Sequence, residues 1–233
     1  FVSTDGHIWG LPAEITPMPT IWNTRVLEQA GVADIPSTLD AYMAAGEKLK
    51  ASGKYLFSLA QDAVQVLHNL VAGQEGGLEA MAATQFDAPQ YANAFRIMKG
   101  FVDAGLTPPN DIEMNSAQAR ALFIGEQTAS MINGVWTLRN DLMSKSASPD
   151  LIEAVRFTGY PAVGALGTVV ENKVATMIGL SSALASQPER LEAAIAFLKH
   201  WFTPEMATVW AARTWSPIGI KIDLAAVTDL DPM

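Results

Sequence analysis

Helical stripes that each stop at a glycine, with short apolar runs between them, limit the fold of this chain more than any other feature. Leu39, Tyr42, Met43, Gly46 and Leu49 share one helical face, which ends at Gly53. Val66, Leu67, Leu70 and Val71 form a second stripe, headed by Asp62 and closed by Gly73. Tyr91, Phe95, Met98 and Val102 form a third, opened by Asp87 and Pro89 and closed by Gly105. Residues three and four apart lie on one side of a helix, and glycine ends helices because it reaches left-handed backbone without a Cβ clash. Ser37 and Asp40 read as a start signal for the first of these helices. Another helix runs from Thr20 and Trp22 to Ala30, stopped by Gly31. After Pro188, Leu191, Ile195, Leu198 and Phe202 are expected to face inward, and Thr203-Pro204-Glu205 starts one more helix. Strands are predicted over 7–12, 54–59, 155–160 and 174–181. Strands alternating with helices describe a layered α/β lobe.

Composition narrows the function. The chain has 233 residues, enough for one large domain or two small ones. Only 17% of them are charged, against roughly 25% in an average soluble protein, and 49% are apolar. That balance argues for a packed core and against disorder. Fifteen Lys and Arg face 24 Asp and Glu, for a net charge of −9. An acidic chain without a basic cluster repels phosphate backbones, so nucleic acid is not an expected partner. The absence of Cys removes disulfides, thiol catalysis and most zinc sites. No apolar run approaches the ~18 residues of a membrane helix.

The segment from Ser116 to Trp136 is the most specific local unit. A helix over 116–123 stops at Gly125, an apolar strand follows, and Asn133-Gly134 turns the backbone ahead of Trp136. A positive φ at Gly134 would bend the chain sharply and aim the indole out of the sheet. A flat ring held at a strand end suits a ligand with an apolar face, such as a sugar. The competing reading is a Trp that packs between structural elements, since Trp buries much area wherever it lies.

Phe123, Gly125, Ala129, Met131, Gly134 and Trp136 resemble the "F..G..AM...G.W" signature of family 1 extracellular solute-binding proteins, the receptors of ABC sugar importers. Gly125 stands one residue nearer Phe123 than in the usual pattern, and Ser130 intrudes between Ala129 and Met131, so a reshaped turn is expected there. The similarity runs nearly end to end. Gly6 to Pro12 resembles "G.iyGlP", and Ile21-Trp22-Asn23 stands where the family has "YN". Gly31 to Leu39 resembles "aGi..pPkTwdE", and Leu106, Thr107 and Pro108 sit in the "Gl..p" position. Phe202 to Glu205 matches "lls.e", and Ser216 to Gly219 resembles "G.lP".

The resemblance implies a periplasmic-binding-protein-like (type II) lobe, a mixed β-sheet flanked by helices. It further implies that the chain is a portion of a longer receptor. Residues 1–22 would be a hinge-crossing strand and connection, 23–220 the C-terminal ligand-binding lobe, and 221–233 a tail returning toward an N-terminal lobe. Trp136 takes the position of the family's sugar-stacking aromatic. Thr16 and Met18 fall in an irregular connection between two prolines that crosses beside the ligand, with Glu14 close by. Gln61 and Asp62 occupy the strand-to-helix turn that supplies polar groups, although Asp62 can equally cap its helix. Arg213 and Trp215 precede a late turn that often carries ligand contacts. Trp22 is expected between helix and sheet, and Trp9, Trp201 and Trp210 in the core.

The implied activity is capture of a carbohydrate, with ABC permease subunits as partners, no metal or organic cofactor, a monomeric state, and a periplasmic or lipid-anchored extracellular location. A same-fold receptor for a polyamine is the alternative, with Trp136 and Asp62 as aromatic wall and carboxylate. His7, His68 and His200 lack metal-ligand spacing, and no GxSxG, Walker or GxGxxG motif is present, so an enzyme is not expected. Asp62 with Glu171 would be the least implausible carboxylate pair for glycoside hydrolysis. No adjacent Tyr pair exists to hold ferric iron.

Overall fold

Thr20, Ile21 and Trp22 are β-branched or aromatic and lie between two partners, which draws them into a strand where a helix was expected. In the computed structural model, which describes residues 6–134, 136–142, 147–164, 166–214, 216 and 218–221, β2 (Thr20–Asn23) is the middle strand of an antiparallel sheet. β3 (Ser130–Ile132) and β4 (Val155–Thr158) flank it, with Ile21 opposite both Met131 and Phe157. Helix α1 (Thr24–Gln29) begins only after Asn23, whose side chain accepts from the Val26 N–H. The expected strand over 54–59 reduces to a bridge between Tyr55 and Thr128. Leu56 N–H donates to Leu106 O, and its own carbonyl accepts from Ser130 N–H.

The chain divides into two compact units, Met18–Glu171 and Phe1–Pro17 with Asn172–Met233. Within Met18–Glu171, α2 (Leu39–Ala51), α3 (Leu59–Ala72), α4 (Gly77–Ala82), α5 (Pro89–Asp103) and α6 (Ser116–Ile124) surround a core centred on Tyr42. Its ring lies 5.7 Å from Trp22, 5.8 Å from Phe57, 5.7 Å from Phe101 and 5.6 Å from Tyr160, centroid to centroid. Trp22 is fully buried with its indole N–H donated to Thr158 Oγ1 at 2.9 Å, so the large ring leaves no orphaned donor. α7 (Pro149–Ala154) leads into β4.

Two details of helix geometry differ from expectation. Thr38, not Ser37, caps α2. The buried face of α5 is Tyr91, Ala94 and Phe101, while Phe95 and Val102 are exposed. α5 packs on α3, and small Ala94 permits close approach where Phe95 would hold the helices apart.

The other unit holds the two-stranded sheet of β1 (Leu11–Met18) and β5 (Glu171–Ile178), with α8 (Pro188–Trp201) and α9 (Pro204–Thr214). β1 starts later than the predicted 7–12 strand and runs through Pro12 and Pro17, where a loop was expected. In a two-stranded sheet every strand is an edge, so a missing proline N–H is tolerated. No residue of α8 is buried: Leu191, Leu198 and Phe202 are half-buried and Ile195 is exposed. Trp9, expected in the core, is 68% exposed. Trp201 and Trp210 are half-buried with ring centroids 5.0 Å apart.

Candidate functional site

The site is built from the end of β3 outward. α6 is opened by a reciprocal cap between Asn115 and Gln118 and ends at Gly125. The left-handed residue after it is Glu126, at φ 56°, so a side-chain-bearing residue fills the place where the family pattern has glycine. Arg25 holds Glu126 through its guanidinium and also reaches Asp150 at 2.8 Å. These contacts fix a backbone conformation that is otherwise unfavourable by about 1 kcal/mol or more. The chain then enters β3. Ser130 N–H bonds to Leu56 O, and Ile132 N–H bonds to Asp62 Oδ2 at 2.9 Å.

Beyond Ile132, Asn133 Oδ1 accepts from Gly134 N–H at 2.9 Å, and Thr137 N–H returns to Gly134 O at 3.0 Å. Gly134 does not adopt the expected positive φ. Glycine is required for a different reason: a Cβ there would overlap Cζ3, Cη2 and Cε3 of Trp136. The indole folds back over the Gly134 α-carbon and is braced by it. Trp136 is 40% exposed, whereas Asn133 and Thr137 on either side are buried. An indole with a solvent-facing surface thus stands beside a hydrogen-bonded turn at Asn133 and Gly134.

Asp62, in the first turn of α3, is 1% exposed. Burial pushes its carboxyl well above the usual carboxylate range; the bond from Ile132 N–H opposes that rise, and the negative charge of Asp111 adds to it. Burial likewise raises Tyr42 and Tyr160, whose hydroxyls also feel Asp62. Asp111, in a 3₁₀ turn at Asp111–Glu113, caps α3 from outside the helix. It accepts from Ser58 Oγ and Leu59 N–H, both at 2.5 Å, and from Ala60 N–H at 3.2 Å. A cavity of about 510 Å³ opens beside this cap, lined by Leu59, Ala60, Ala63, Pro108, Ile112 and Met114 but not by Trp136.

The structure therefore links two of the residues singled out in the sequence: Asp62 bonds the strand end that leads into Trp136. Gln61 lies beside Asp62 in α3. Met18 is 3% exposed and packs in the core with Trp22. Thr16 is buried on β1, its hydroxyl 3.3 Å from Glu14 Oε1, and Thr176 donates to the other oxygen of that carboxylate at 3.4 Å. Arg213 is exposed in the last turn of α9, and Trp215 lies outside the described residues. Glu171, the other carboxylate considered for hydrolysis, pairs with His68 Nδ1 at 2.9 Å. Asn133 and Thr137 were not identified from sequence. The Asn133 amide nitrogen and the Thr137 hydroxyl are buried with no hydrogen-bond partner among the described residues. Their only sequence signal was the Asn-Gly step before Trp136.

The fold is that of a type II periplasmic-binding-protein-like lobe. The family model for the bacterial extracellular solute-binding protein matches residues 1–221, and the chain belongs to that family. A binding protein of Brucella abortus is 26% identical over 170 residues, covering 70% of this chain and 41% of the relative, and one of Brucella suis matches equally. The chain thus spans about two-fifths of the curated relatives it matches. Among solved structures, a chitin oligosaccharide binding protein superposes with a TM-score of 0.73 at 23% identity, over 94% of this chain and 56% of that one. Maltose-bound MalE3 of T. maritima gives 0.70 at 19%, over 99% and 60%. A family 1 extracellular solute-binding protein from Bifidobacterium longum subsp. infantis gives 0.69 at 17%, over 97% and 60%. Among the described residues no helix is long and apolar enough to cross a membrane.

Proposed function

We propose that this chain is part of the substrate-binding component of an ABC importer and that it captures a carbohydrate on Trp136. The observation that carries this reading is the half-exposed indole braced over Gly134 beyond the end of β3. Sugar C–H groups stack on the ring face, and nearby polar side chains bond the hydroxyls. Solved relatives with the same fold include a chitin oligosaccharide binding protein and a maltose-bound protein, which supports a sugar as ligand class. The action is capture without chemistry: closure of the complete receptor around the sugar excludes water, and the preference of the ligand for the closed form drives it. The complete receptor works as a monomer at the outer face of the membrane, periplasmic or lipid-anchored, and delivers its sugar to permease subunits. The part described here supplies the Met18–Glu171 wall of the site.

Calorimetry against chito-, malto- and xylo-oligosaccharides, with spermidine as a control, tests the proposal. One of the oligosaccharides should bind and remain intact after long incubation. Trp136→Ala should weaken that binding by about 2 kcal/mol, roughly 30-fold, and Trp136→Phe by less. Binding that Trp136→Ala leaves unchanged would place the ligand elsewhere; spermidine as the one binder would replace the sugar with a polyamine.

A further inference from the structure

β3 is an edge strand, and its outer side is closed in two different ways. Ser130 N–H is taken by a backbone carbonyl, that of Leu56. Ile132 N–H, at the strand's last residue, is taken by the side chain of Asp62 at 2.9 Å. Asp62 therefore stands in for a missing strand neighbour at the point where the chain leaves the sheet for Asn133, Gly134 and Trp136. Asp62 is itself held: the first turn of α3 is anchored by Asp111 through Ser58, Leu59 and Ala60. A continuous line of bonds runs from the Asp111 cap through α3 to the strand end that carries the indole.

We propose that Asp62 is a positioning residue that sets the orientation of Trp136 through the Ile132 amide without touching the ligand. Its burial at 1% exposure keeps it from the surface the indole presents. Oδ2 is committed to the amide, and Oδ1 is buried without a hydrogen-bond partner among the described residues. An uncharged carboxyl with its proton on Oδ1 fits that arrangement, in line with the effect of burial on this group. Asn retains a carbonyl oxygen in the Oδ2 position, so the neutral isostere should preserve the contact, whereas Leu leaves the Ile132 N–H buried and unpaired.

This inference rests on the sugar-platform reading of Trp136, and the experiment separates the two. 5-Fluorotryptophan is incorporated, and the ¹⁹F resonance of Trp136 is assigned from its loss in Trp136→Phe. In Asp62→Leu that resonance should shift or broaden, and oligosaccharide affinity should fall about tenfold or more; Asp62→Asn should restore both. An unchanged Trp136 resonance in Asp62→Leu overturns the inference whether or not any sugar binds. So does an affinity loss in Asp62→Asn with the resonance unmoved, because it would make Asp62 a direct ligand contact. Should Asp62→Leu not fold, the wild-type protein decides: a scalar coupling across the hydrogen bond from Ile132 ¹⁵N to the Asp62 carboxyl ¹³C is expected, and its absence refutes the contact. If no oligosaccharide binds, the ¹⁹F shift still tests the positioning role while the platform reading fails separately.

Discussion

The two compact units use apolar residues in opposite ways. Met18–Glu171 draws Trp22, Tyr42, Phe57, Phe101 and Tyr160 into one aromatic cluster in which every ring is shielded. In the unit formed by Phe1–Pro17 and Asn172–Met233, Ile8, Trp9, Met177, Ile195 and Phe197 stay exposed, and α8 buries nothing. Both carry helices with apolar residues at helical spacing, so periodicity alone does not decide burial. What decides it is a second layer. In the first unit α3, α5 and the sheet face one another; among the described residues of the second, a two-stranded sheet offers little for a helix stripe to pack against.

Substitutions can break or sharpen this contrast, and Phe101→Ala should have the largest effect. Fully buried at the centre of the aromatic cluster, its loss should cost about 3–5 kcal/mol in denaturant melts; a cost below about 1 would show that the cluster is not the core. Asp111→Ala removes the acceptor of three donors at the start of α3 and should cost roughly 2–3 kcal/mol. Asp62→Asn should match wild type to within about 1 kcal/mol at low pH, where the carboxyl is neutral in both states and the isostere keeps the Ile132 bond, and should be the more stable of the two at neutral pH. Its signature is pH-dependent. A carboxyl raised in the folded state means the native protein holds its proton where the unfolded chain has released it. The contribution of Asp62 to stability should therefore be fullest below the ordinary carboxylate range and decline as pH rises through the folded value, and Asp62→Asn should remove that part of the slope. Equal slopes in the two proteins would mean that Asp62 titrates normally. Phe197→Ala, at a residue 53% exposed, should stay within about 0.5 kcal/mol. A large cost there would erase the contrast between the units.

What could be read from the sequence follows the same division. Local signals held: the stripe of α3 with Val66, Leu70 and Val71 buried, the helix–strand–Asn-Gly unit from Ser116, and the left-handed glycines at 31, 53 and 105. Signals that depend on a distant partner did not. Thr20–Asn23 becomes a strand because β3 and β4, more than a hundred residues away, sandwich it. Asp111 caps a helix that starts 52 residues earlier. On α5, Tyr91 is buried as anticipated, but Ala94 and Phe101 take the places of Phe95 and Val102 because packing on α3 favours a small residue at the crossing. At the site, the glycine before the Trp was legible but its purpose was not: sequence suggested a bend, and the structure shows a clearance.

That clearance makes the choice of residue at 134 depend on the ring at 136. A methyl group at the first can be accommodated only by a chain that shrinks or tilts the ring at the second, and a swap of the ring frees the first to vary. A side chain at 134 is closed off while the indole keeps its place, whereas the ring at 136 can change with glycine left as it is. The order of change is thereby set: the ring must shrink or tilt before anything larger than glycine can stand at 134.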